Sequence, residues 1–526
     1  MIGVKRFAKV AFGAIIFRSF RMSFLSLLRH RSGKGARCLF PAALLLAGCA
    51  VGPNYQRPPV DTPPAWKEAG PWKQAAPRDE IAKGDWWTLF GDATLDDLEK
   101  QATTSNQNLR AAVARVSEAR ATARIAEADF FPNITLDPQA AEIHTTANQL
   151  KPPGTNYSSY TGTSLQVPLD LSYEVDIWGR VRRTFEAATA TAEASVADYE
   201  TVLLTLKSDV AQDYFSMRSL DAEHALLVRT AADRQKALNL VQDRFKGGAS
   251  SALDLAQAQT QLSAVQAEAT DIGVRRSQLE HALAVLTGRP PAGFTIPEHP
   301  LDLALPPVPA GLPSELLERR PDVAEAERLM AAANARIGVA KAAFFPVVRL
   351  TGDFGVESSD IANLFTWGSR SWGIGPSISI PIFEGGALSA NLKNIKADYD
   401  EATANYRQQA LVAFEDVEDG LSGLRILSTE AAQQGQAADA ARRAAQLSDD
   451  QYKNGLVNYL QIVDAEQTEL DNERIAVQIN GQRFVTTVML IKALGGGWAD
   501  STLLPTLPPA PASSDPVPPV PAVPNP

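Results

Sequence analysis

The chain has 526 residues, of which 45% are hydrophobic, 21% charged and 7% aromatic, and its formal net charge is −10. This composition excludes intrinsic disorder and a collagen-like repeat, and the acidic balance argues against a nucleic-acid partner, since phosphate binding needs an excess of lysine and arginine. Only two cysteines occur, Cys38 and Cys49, so the chain builds neither a disulfide framework nor a thiolate zinc site.

The N-terminus has the layout of a secretory leader. Basic residues precede an apolar run, residues 39–47, which is too short to cross a bilayer. The run ends in Leu-Ala-Gly directly before Cys49, which resembles the lipobox of bacterial lipoproteins. We predict that residues 1–48 are removed and that Cys49 carries the anchoring lipid. Ala50 in the next position favours export to the outer membrane, and a translation start at Met22 would give a shorter leader of the same design.

Two strands are predicted after the first Phe-Phe-Pro motif, residues 130–132. Proline ends the preceding helix there, and the hydrophobic period changes from about 3.6 to about 2. Apolar and polar residues alternate from residue 163 to residue 177. We place strands at about 133–145 and 161–178, with lengths that suit tilted membrane spans.

A very long helix follows these strands. Apolar residues recur at spacings of three and four from Val196 to Phe245 without a proline, which predicts a helix from near Ala187 that is roughly 90 Å long at 1.5 Å per residue. Gly247-Gly248 interrupts it, so we predict a tight hairpin tip at about 246–251. A returning helix is expected from about residue 251 to residue 286.

The second half of the chain repeats the first. With an offset of 214 residues, Phe130-Phe131-Pro132 aligns with Phe344-Phe345-Pro346; with an offset of 207 residues, Asp209-Val210 aligns with Asp416-Val417 and Gly288 with Gly495. This long period predicts a duplicated domain and not an array of short repeats.

The duplication places the matching elements of the second half. Strands are expected at about 346–358 and 372–384, and long helices from about residue 391 to residue 494, with a tip at about 453–458 around Gly455. The predicted plan is a signal peptide, a lipidated extended segment, a first repeat, a proline-rich connection, a second repeat and a proline-rich tail, at residues 1–48, 49–94, 95–288, 289–320, 321–498 and 499–526.

Four strands in two hairpins point to a shared membrane barrel. A soluble sandwich would show the same alternation, but these hairpins offer no second sheet to cover the apolar face. Aromatic residues also cluster at the strand ends, as they do at membrane interfaces: Tyr157, Tyr160, Trp178, Trp367 and Trp372. A closed barrel needs about eight strands, so more than one chain must contribute. The fold class is therefore mainly α with a membrane β part.

Several motifs together resemble the TolC-like outer-membrane factors, in their lipoprotein branch of the OprM and NodT type. The motifs lie at residues 49–58, 86–95, 319–322, 337–346 and 493–498. The resemblance implies a homotrimer in which three chains close a twelve-stranded β-barrel above an α-barrel tunnel that crosses the periplasm. It also implies docking to a periplasmic membrane-fusion adaptor and to an inner-membrane pump.

The same resemblance assigns candidate site residues. The tips at Gly248 and Gly455 would contact the adaptor. Leu460 and Asp464 match the family's periplasmic constriction, where one leucine and one aspartate per chain form rings, and Asp254 matches a neighbouring acidic position that holds the closed state. A ring of carboxylates can act as a gate because like charges at close range repel and bind cations.

The chain departs from the branch at Gln467, where an arginine is often found, so an ion-pair latch at that position is doubtful. Catalytic patterns are not evident either: the five histidines lack ligand spacing, and Gly495-Gly496-Gly497 lacks the lysine of a phosphate loop. We expect no enzymatic activity, no cofactor and no metal site.

These observations predict an outer-membrane exit channel of a tripartite efflux system of the resistance-nodulation-division type, which exports drugs or other small toxic compounds. The outer-membrane component of a type I protein secretion system would have the same architecture. A lipid-anchored periplasmic scaffold is the alternative from another class, and in that case a charge at Leu169 or Ile380 would be harmless. The predicted location is the outer membrane of a Gram-negative bacterium.

Overall fold

The computed structural model describes residues 50–67, 85–148, 158–306, 308 and 319–496. Cys49, the predicted signal peptide and the proline-rich tail from residue 499 lie outside the described residues. The chain divides into two compact units. The first contains Asn133–Arg182 and Lys341–Ile382, and the second contains the described residues of Gly52–Pro132, Arg183–Ala340 and the chain from Phe383 onward.

The first unit is built on an antiparallel sheet. Its strands are β1 (Asn133–Leu136), β2 (Gln139–Thr145), β3 (Tyr160–Glu174), β4 (Val347–Ser358) and β5 (Arg370–Ser379), in the order β1-β3-β4-β5, with β2 also paired to β3. The sequence predicts a single strand where β1 and β2 lie. The two segments pair one after the other along β3, and Pro138 separates them because it has no N–H to donate to the ladder.

The register of the sheet aligns apolar side chains across β1, β3, β4 and β5. Leu136 pairs with Leu169, Leu169 with Phe354, and Phe354 with Trp372. These four side chains are 41% to 74% exposed, so the row forms an uncovered apolar face. The residues one step along β3 and β4, Asp170 and Asp353, form a polar pair on the opposite face.

Two strands end earlier than the alternation predicts. The strand β3 ends at Glu174 instead of near residue 178, because Asp176 already caps the next helix: its carboxylate oxygens accept hydrogen bonds from the backbone N–H groups of Val181 and Arg182, at 3.0 Å each. The strand β5 ends at Ser379 instead of near residue 384, and Pro381 lies in the gap.

The helices repeat with the offsets found in the sequence. They are α1 (Ala93–Ser105), α2 (Gln107–Ala128), α3 (Arg180–Lys246), α4 (Ala252–Leu286), α5 (Pro321–Ala342), α6 (Ala387–Lys453) and α7 (Tyr459–Ala493). Both α3 and α6 have 67 residues, both α4 and α7 have 35, and both α2 and α5 have 22. The second helix of each pair begins and ends 207 residues after the first, and for α2 and α5 the distance is 214 residues. No helix in the described part of the chain is long and apolar enough to cross a membrane.

The core of the second unit is aromatic. Phe215 on α3 lies 4.6 Å from Phe90 and 5.0 Å from Phe484 on α7, measured between ring centroids, and all three rings are buried. Trp86, which is fully buried, packs edge to face against Phe90. Burial of such side chains stabilises the fold by about 1.5–3 kcal/mol each. This core joins the N-terminal segment to the long helices.

Candidate functional site

The two hairpin tips are five-residue turns closed by the predicted glycines. Gly248 has φ of +75° and Gly455 has φ of +73°, in the left-handed region that glycine adopts without strain. In each turn the glycine N–H donates to the carbonyl three residues back, and the next N–H donates to the carbonyl five residues back, at 2.8–3.0 Å. This is the Schellman pattern, which ends a helix and satisfies its last carbonyls.

The returning helices begin with side-chain caps. Ser251 Oγ accepts a hydrogen bond from the N–H of Asp254 at 3.1 Å, and Asp254 Oδ2 accepts one from the N–H of Ser251 at 2.9 Å. Asn458 caps the second hairpin by accepting from the N–H of Gln461 at 3.1 Å. Asp254 therefore has a local role in starting α4, which its assignment as a constriction residue did not include.

An arginine links the two tips. Arg244, in the last turn of α3, donates hydrogen bonds to the carbonyl oxygens of Tyr452 and Lys453 at 3.3 Å and 3.2 Å, and its guanidinium lies 4.4 Å from the centre of the Tyr452 ring. Positive charge stabilises the C-terminal end of a helix, where carbonyls lack partners. The structure thus brings Gly248 and Gly455 to the same end of neighbouring hairpins.

Leu460 and Asp464 lie four residues apart on one exposed face of α7. The side chain of Leu460 is 49% exposed. The carboxylate of Asp464 makes no hydrogen bond or ion pair with any residue that the structure describes; its backbone carbonyl alone accepts a bond, from Thr468. Leu460 and Asp464 therefore present an apolar side chain and an unpaired negative charge on the same face of α7.

The first hairpin has only half of this pair. The counterparts of Leu460 and Asp464, 207 residues earlier, are Leu253 and Gln257. Leu253 is 65% exposed, so both hairpins present the leucine. The position of Asp464, in contrast, is acidic only in the second hairpin. The alignment with an offset of 207 residues shows this difference, because it pairs Gln257 with Asp464. The resemblance to the family did not show it.

A buried arginine lies close to the candidate constriction. Arg234 on α3 is 5% exposed and donates to the carbonyl of Gln261 on α4 and to Oε1 of Gln467 on α7, both at 2.9 Å. Gln467 in turn donates to Asp471 at 2.9 Å. The position that lacks the family's arginine therefore still contacts a guanidinium, supplied from another helix. Sequence reasoning missed Arg234 because an isolated basic residue on a long helix carries no pattern.

Burial perturbs the charges around this arginine. The pKa of Glu466 is raised to about 7, mainly because burial disfavours the charged form, and the positive charge of Arg234 opposes the rise only in part. The pKa of Arg234 is lowered by its own burial. Glu466 and Gln467 are neighbours in sequence, so a titrating group lies within one turn of Asp464.

A second ionic cluster joins α3, α6 and α7. Glu473 accepts hydrogen bonds from Arg229 at 2.6 Å and from Arg442 at 2.6 Å and 3.1 Å. Such a shared carboxylate ties three helices together beyond the tips. Among the described residues, no group of three or more His, Cys, Asp or Glu side chains is placed to hold a metal ion.

Comparison with known proteins gives a consistent set of relatives. The family model "Outer membrane efflux protein" matches residues 98–289 and 312–496. The chain is 34% identical to the outer membrane protein OprJ of Pseudomonas aeruginosa over 465 residues, which are 88% of this chain and 96% of that protein. It is also 34% identical to the solvent efflux pump outer membrane protein SrpC of Pseudomonas putida over 464 residues, 88% of this chain and 98% of that protein.

A solved structure has a similar fold. The outer-membrane channel OprN superposes with a TM-score of 0.78 at 31% sequence identity, over 86% of this chain and 100% of that one.

Proposed function

The chain belongs to the outer membrane efflux protein family, and we propose that it serves a tripartite efflux system driven by an inner-membrane pump of the resistance-nodulation-division class. It is an outer-membrane efflux channel with a TolC-like fold, in which long helical hairpins form the tunnel and four strand positions per chain contribute to a shared barrel. In this assembly three identical chains close the channel, and a periplasmic adaptor joins them to the pump.

The observation that carries this function is the uncovered apolar row on the sheet, Leu136, Leu169, Phe354 and Trp372. Exposed apolar patches of this kind mark membrane or partner contacts. A sheet with free edges and an apolar face gains most when further copies close it into a barrel and lipid covers the face.

We assign the periplasmic gate to Leu460 and Asp464, with Asp254 beside it. In support of this, the carboxylate of Asp464 is exposed and has no partner among the described residues. Three such carboxylates, one from each chain, would meet at the tunnel axis, where they repel one another and attract cations. A cation held between the carboxylates then bridges the three chains in the closed state, where the leucines exclude water, so that removing the acid removes this link and favours opening.

The test is single-channel conductance of the purified protein in planar bilayers, with oligomer mass measured on the same sample. We expect a trimer that is nearly closed in the wild type and markedly more conductive in Asp464→Ala. Gln257→Ala, at the counterpart position of the first hairpin, is the matched control and should conduct like the wild type. Equal conductance of the two variants would remove the gate assignment, and a folded protein that never conducts would remove the channel.

The tips at Gly248 and Gly455 are the proposed contact with the adaptor. The Schellman turns and the Arg244 contact hold both tips as rigid ends, which is what docking to a second helical hairpin requires. Crosslinking from a cysteine placed at Ala249, next to the first tip, should capture the adaptor, whereas one placed at exposed Val274 in the interior of α4 should not.

Cys49 is the proposed site of the lipid anchor. Metabolic labelling with palmitate should mark the wild-type protein and not Cys49→Ser. Labelling of the serine variant would exclude this cysteine as the attachment site.

The cargo class follows from the relatives. The name of SrpC describes a solvent efflux pump, which supports small toxic compounds as cargo for this channel rather than secreted proteins. The channel is proposed to be a passive duct that uses no cofactor and catalyses no reaction, with energy supplied by the pump. Expression in a strain that lacks its own exit channel should restore solvent or drug tolerance and should not restore secretion of a type I protein substrate.

A further inference from the structure

The second repeat contains a site filled by an arginine. Arg320, directly before α5, is 8% exposed and donates to both carboxylate oxygens of Asp322, at 3.0 Å and 2.6 Å. It also donates to Asp416 on α6 at 2.7 Å and to the carbonyl of Ala493, the last residue of α7, at 3.4 Å. Gln409 completes the site with a hydrogen bond to Asp322 at 2.7 Å.

The first repeat has the same frame without the arginine. By the offsets of the repeat, Asn106 stands for Arg320, Asn108 for Asp322 and Asp209 for Asp416. The carbonyl of Leu286, the last residue of α4, stands for that of Ala493, and Asn106 Nδ2 donates to it at 2.9 Å. Asn106 therefore makes the counterpart of the Arg320 contact with Ala493, but it makes no hydrogen bond to the Asp209 carboxylate.

The shorter side chain leaves a cavity. A space of about 380 Å³, which we name the Asp209 cavity, is lined by ten residues. They include these counterparts and two further polar side chains: Asn106, Asn108, Asp209, Leu286, Arg115 and Thr205. The Asp209 carboxylate makes no hydrogen bond or ion pair with any residue that the structure describes. Arg115, the cation in the lining, is held at 3.0 Å by Asp198 instead.

The charge of Asp209 is poorly compensated. Its pKa is raised because burial disfavours the carboxylate, and the charge of Lys492 on α7 offsets this only in part, without reaching ion-pair distance. Asp213 lies one turn further along α3. Its pKa is raised to about 6 by burial and by the negative charge of Asp209. A cation that entered the cavity would relieve both effects.

We propose that the Asp209 cavity binds a guanidinium cation, in the manner in which the second repeat binds the side chain of Arg320. The planar fork of a guanidinium has five N–H donors, and the cavity offers the acceptors that such a fork needs. The Asp209 carboxylate provides charge, the Leu286 carbonyl marks the end of α4, and the Asn108 amide and the Thr205 hydroxyl add neutral oxygens. The guanidinium belongs either to a small solute or to an arginine of another copy of the chain.

The test uses methylguanidinium as the probe, titrated into the purified full chain in detergent, with methylammonium as a probe of equal charge that has fewer donors. The wild type should bind methylguanidinium and discriminate against methylammonium. Asp209→Asn should abolish binding. Asn108→Asp, which restores the counterpart of Asp322, should bind about tenfold more tightly through a second charge-assisted contact.

The variant Asn106→Arg with Asn108→Asp transplants the Arg320 and Asp322 pair into the first repeat. It should fill the cavity, abolish probe binding and raise the melting temperature by a few degrees. Asp416→Asn, in the site already filled, is the matched control and should leave probe binding unchanged.

The two sources of the cation give different results. Saturable probe binding to the wild type identifies an open site for small guanidinium compounds. An absence of probe binding, together with a lower melting temperature of the oligomer in Asp209→Asn and its recovery when the arginine pair is transplanted into that variant, identifies an arginine of another copy. The proposal is overturned if the probe does not bind and neither Asp209→Asn nor the transplant changes the melting temperature.

Discussion

Replacing Arg320 by leucine tests how much one buried guanidinium contributes to this fold. The substitution keeps an apolar stem in place and removes two hydrogen bonds to Asp322, one to Asp416 and one to the carbonyl of Ala493. Asp322 keeps the N–H of Val323 at 2.9 Å and the amide of Gln409 at 2.7 Å as donors, but it loses its only counter-charge among the described residues.

The expected cost follows from the burial of the partners. Removing one member of a buried ion pair costs about 3–5 kcal/mol because the other charge is left uncompensated. The Asp416 side chain is 44% exposed, so water replaces much of what it loses, whereas that of Asp322 is 21% exposed. We therefore expect about 3 kcal/mol, near the lower end of that range, with Asp322 as the main source.

The matched control is Asn106→Leu at the counterpart position. It removes one hydrogen bond to Leu286 and the cap that Asn106 provides to the N–H of Leu109, both at 2.9 Å, which should cost about 1–2 kcal/mol. The difference between the two free-energy costs measures what the charged side chain contributes beyond a neutral one at the equivalent backbone position.

The assay is urea denaturation in detergent at one fixed protein concentration, since the stability of an oligomer depends on concentration. A double-mutant cycle with Asp322→Asn isolates the pair, and we expect a coupling energy of about 2 kcal/mol between Arg320 and Asp322. A coupling below about 0.5 kcal/mol, or equal costs for the leucine variants at Arg320 and Asn106, would refute the reasoning.

The remaining predictions concern pH, turn glycines and the sheet. Burial would raise the pKa of Asp322, but its hydrogen bonds and ion pair outweigh this and hold the pKa below 3.8, so its stabilisation is present above pH 3.8 and is lost as the pH falls below it; the wild type should approach the leucine variant when urea midpoints are compared at pH 6 and pH 3. Gly495→Ala should cost more than Gly455→Ala in the same assay, because both glycines have positive φ but only at Gly495 would the new Cβ lie 2.6 Å from a backbone oxygen; the Gly455 change should cost about 1–2 kcal/mol, and equal costs would contradict the steric argument. Leu169→Arg should cost about 2–4 kcal/mol if its face meets lipid, and the yield of folded channel in outer-membrane fractions should fall far below that of Asp170→Arg on the other face; equal yields would favour the periplasmic scaffold.

Much of the helical architecture could be predicted because it depends on periodic and local signals. The hairpin tips at Gly248 and Gly455 follow from a glycine that interrupts a long apolar stripe, and Ser251 caps α4 at the predicted start of the returning helix. The two alignment offsets are the same as the offsets between the observed helix ends. Such features need only neighbours in sequence and a period of about 3.6 residues.

The strand ends were harder to predict, since alternation continues past the last hydrogen bond. Val175 and Ile177 extend the apolar pattern of β3, yet Asp176 between them already belongs to the start of α3. Asp176 could either continue the strand or cap the helix, and the outcome depends on which set of hydrogen bonds is more favourable. The hydrophobic period alone does not show that outcome.

The partners of the buried arginines could not be predicted, because these contacts join residues far apart in sequence. Arg320 and Asp416 are 96 positions apart, and Arg234 and Gln467 are 233 positions apart. Neither contact follows from spacing on one helix. The motif at residues 319–322 is one of several that together resemble the family, but only the structure shows that Arg320 binds two carboxylates and the carbonyl end of α7.

The duplication separates backbone from side-chain contributions. Helices of equal length, caps at equal positions and glycines at equal turns show that both halves solve the same folding problem in the same way. The halves then differ at single polar positions within that common frame: Arg320 against Asn106 between the long helices, and Asp464 against Gln257 near the tips. Because the frame is shared, each half is an internal control for the other. A substitution that gives one half the polar residue of the other changes charge and hydrogen bonding, while the backbone structure around it stays the same. The first difference should therefore appear in stability and cation binding, and the second in conductance.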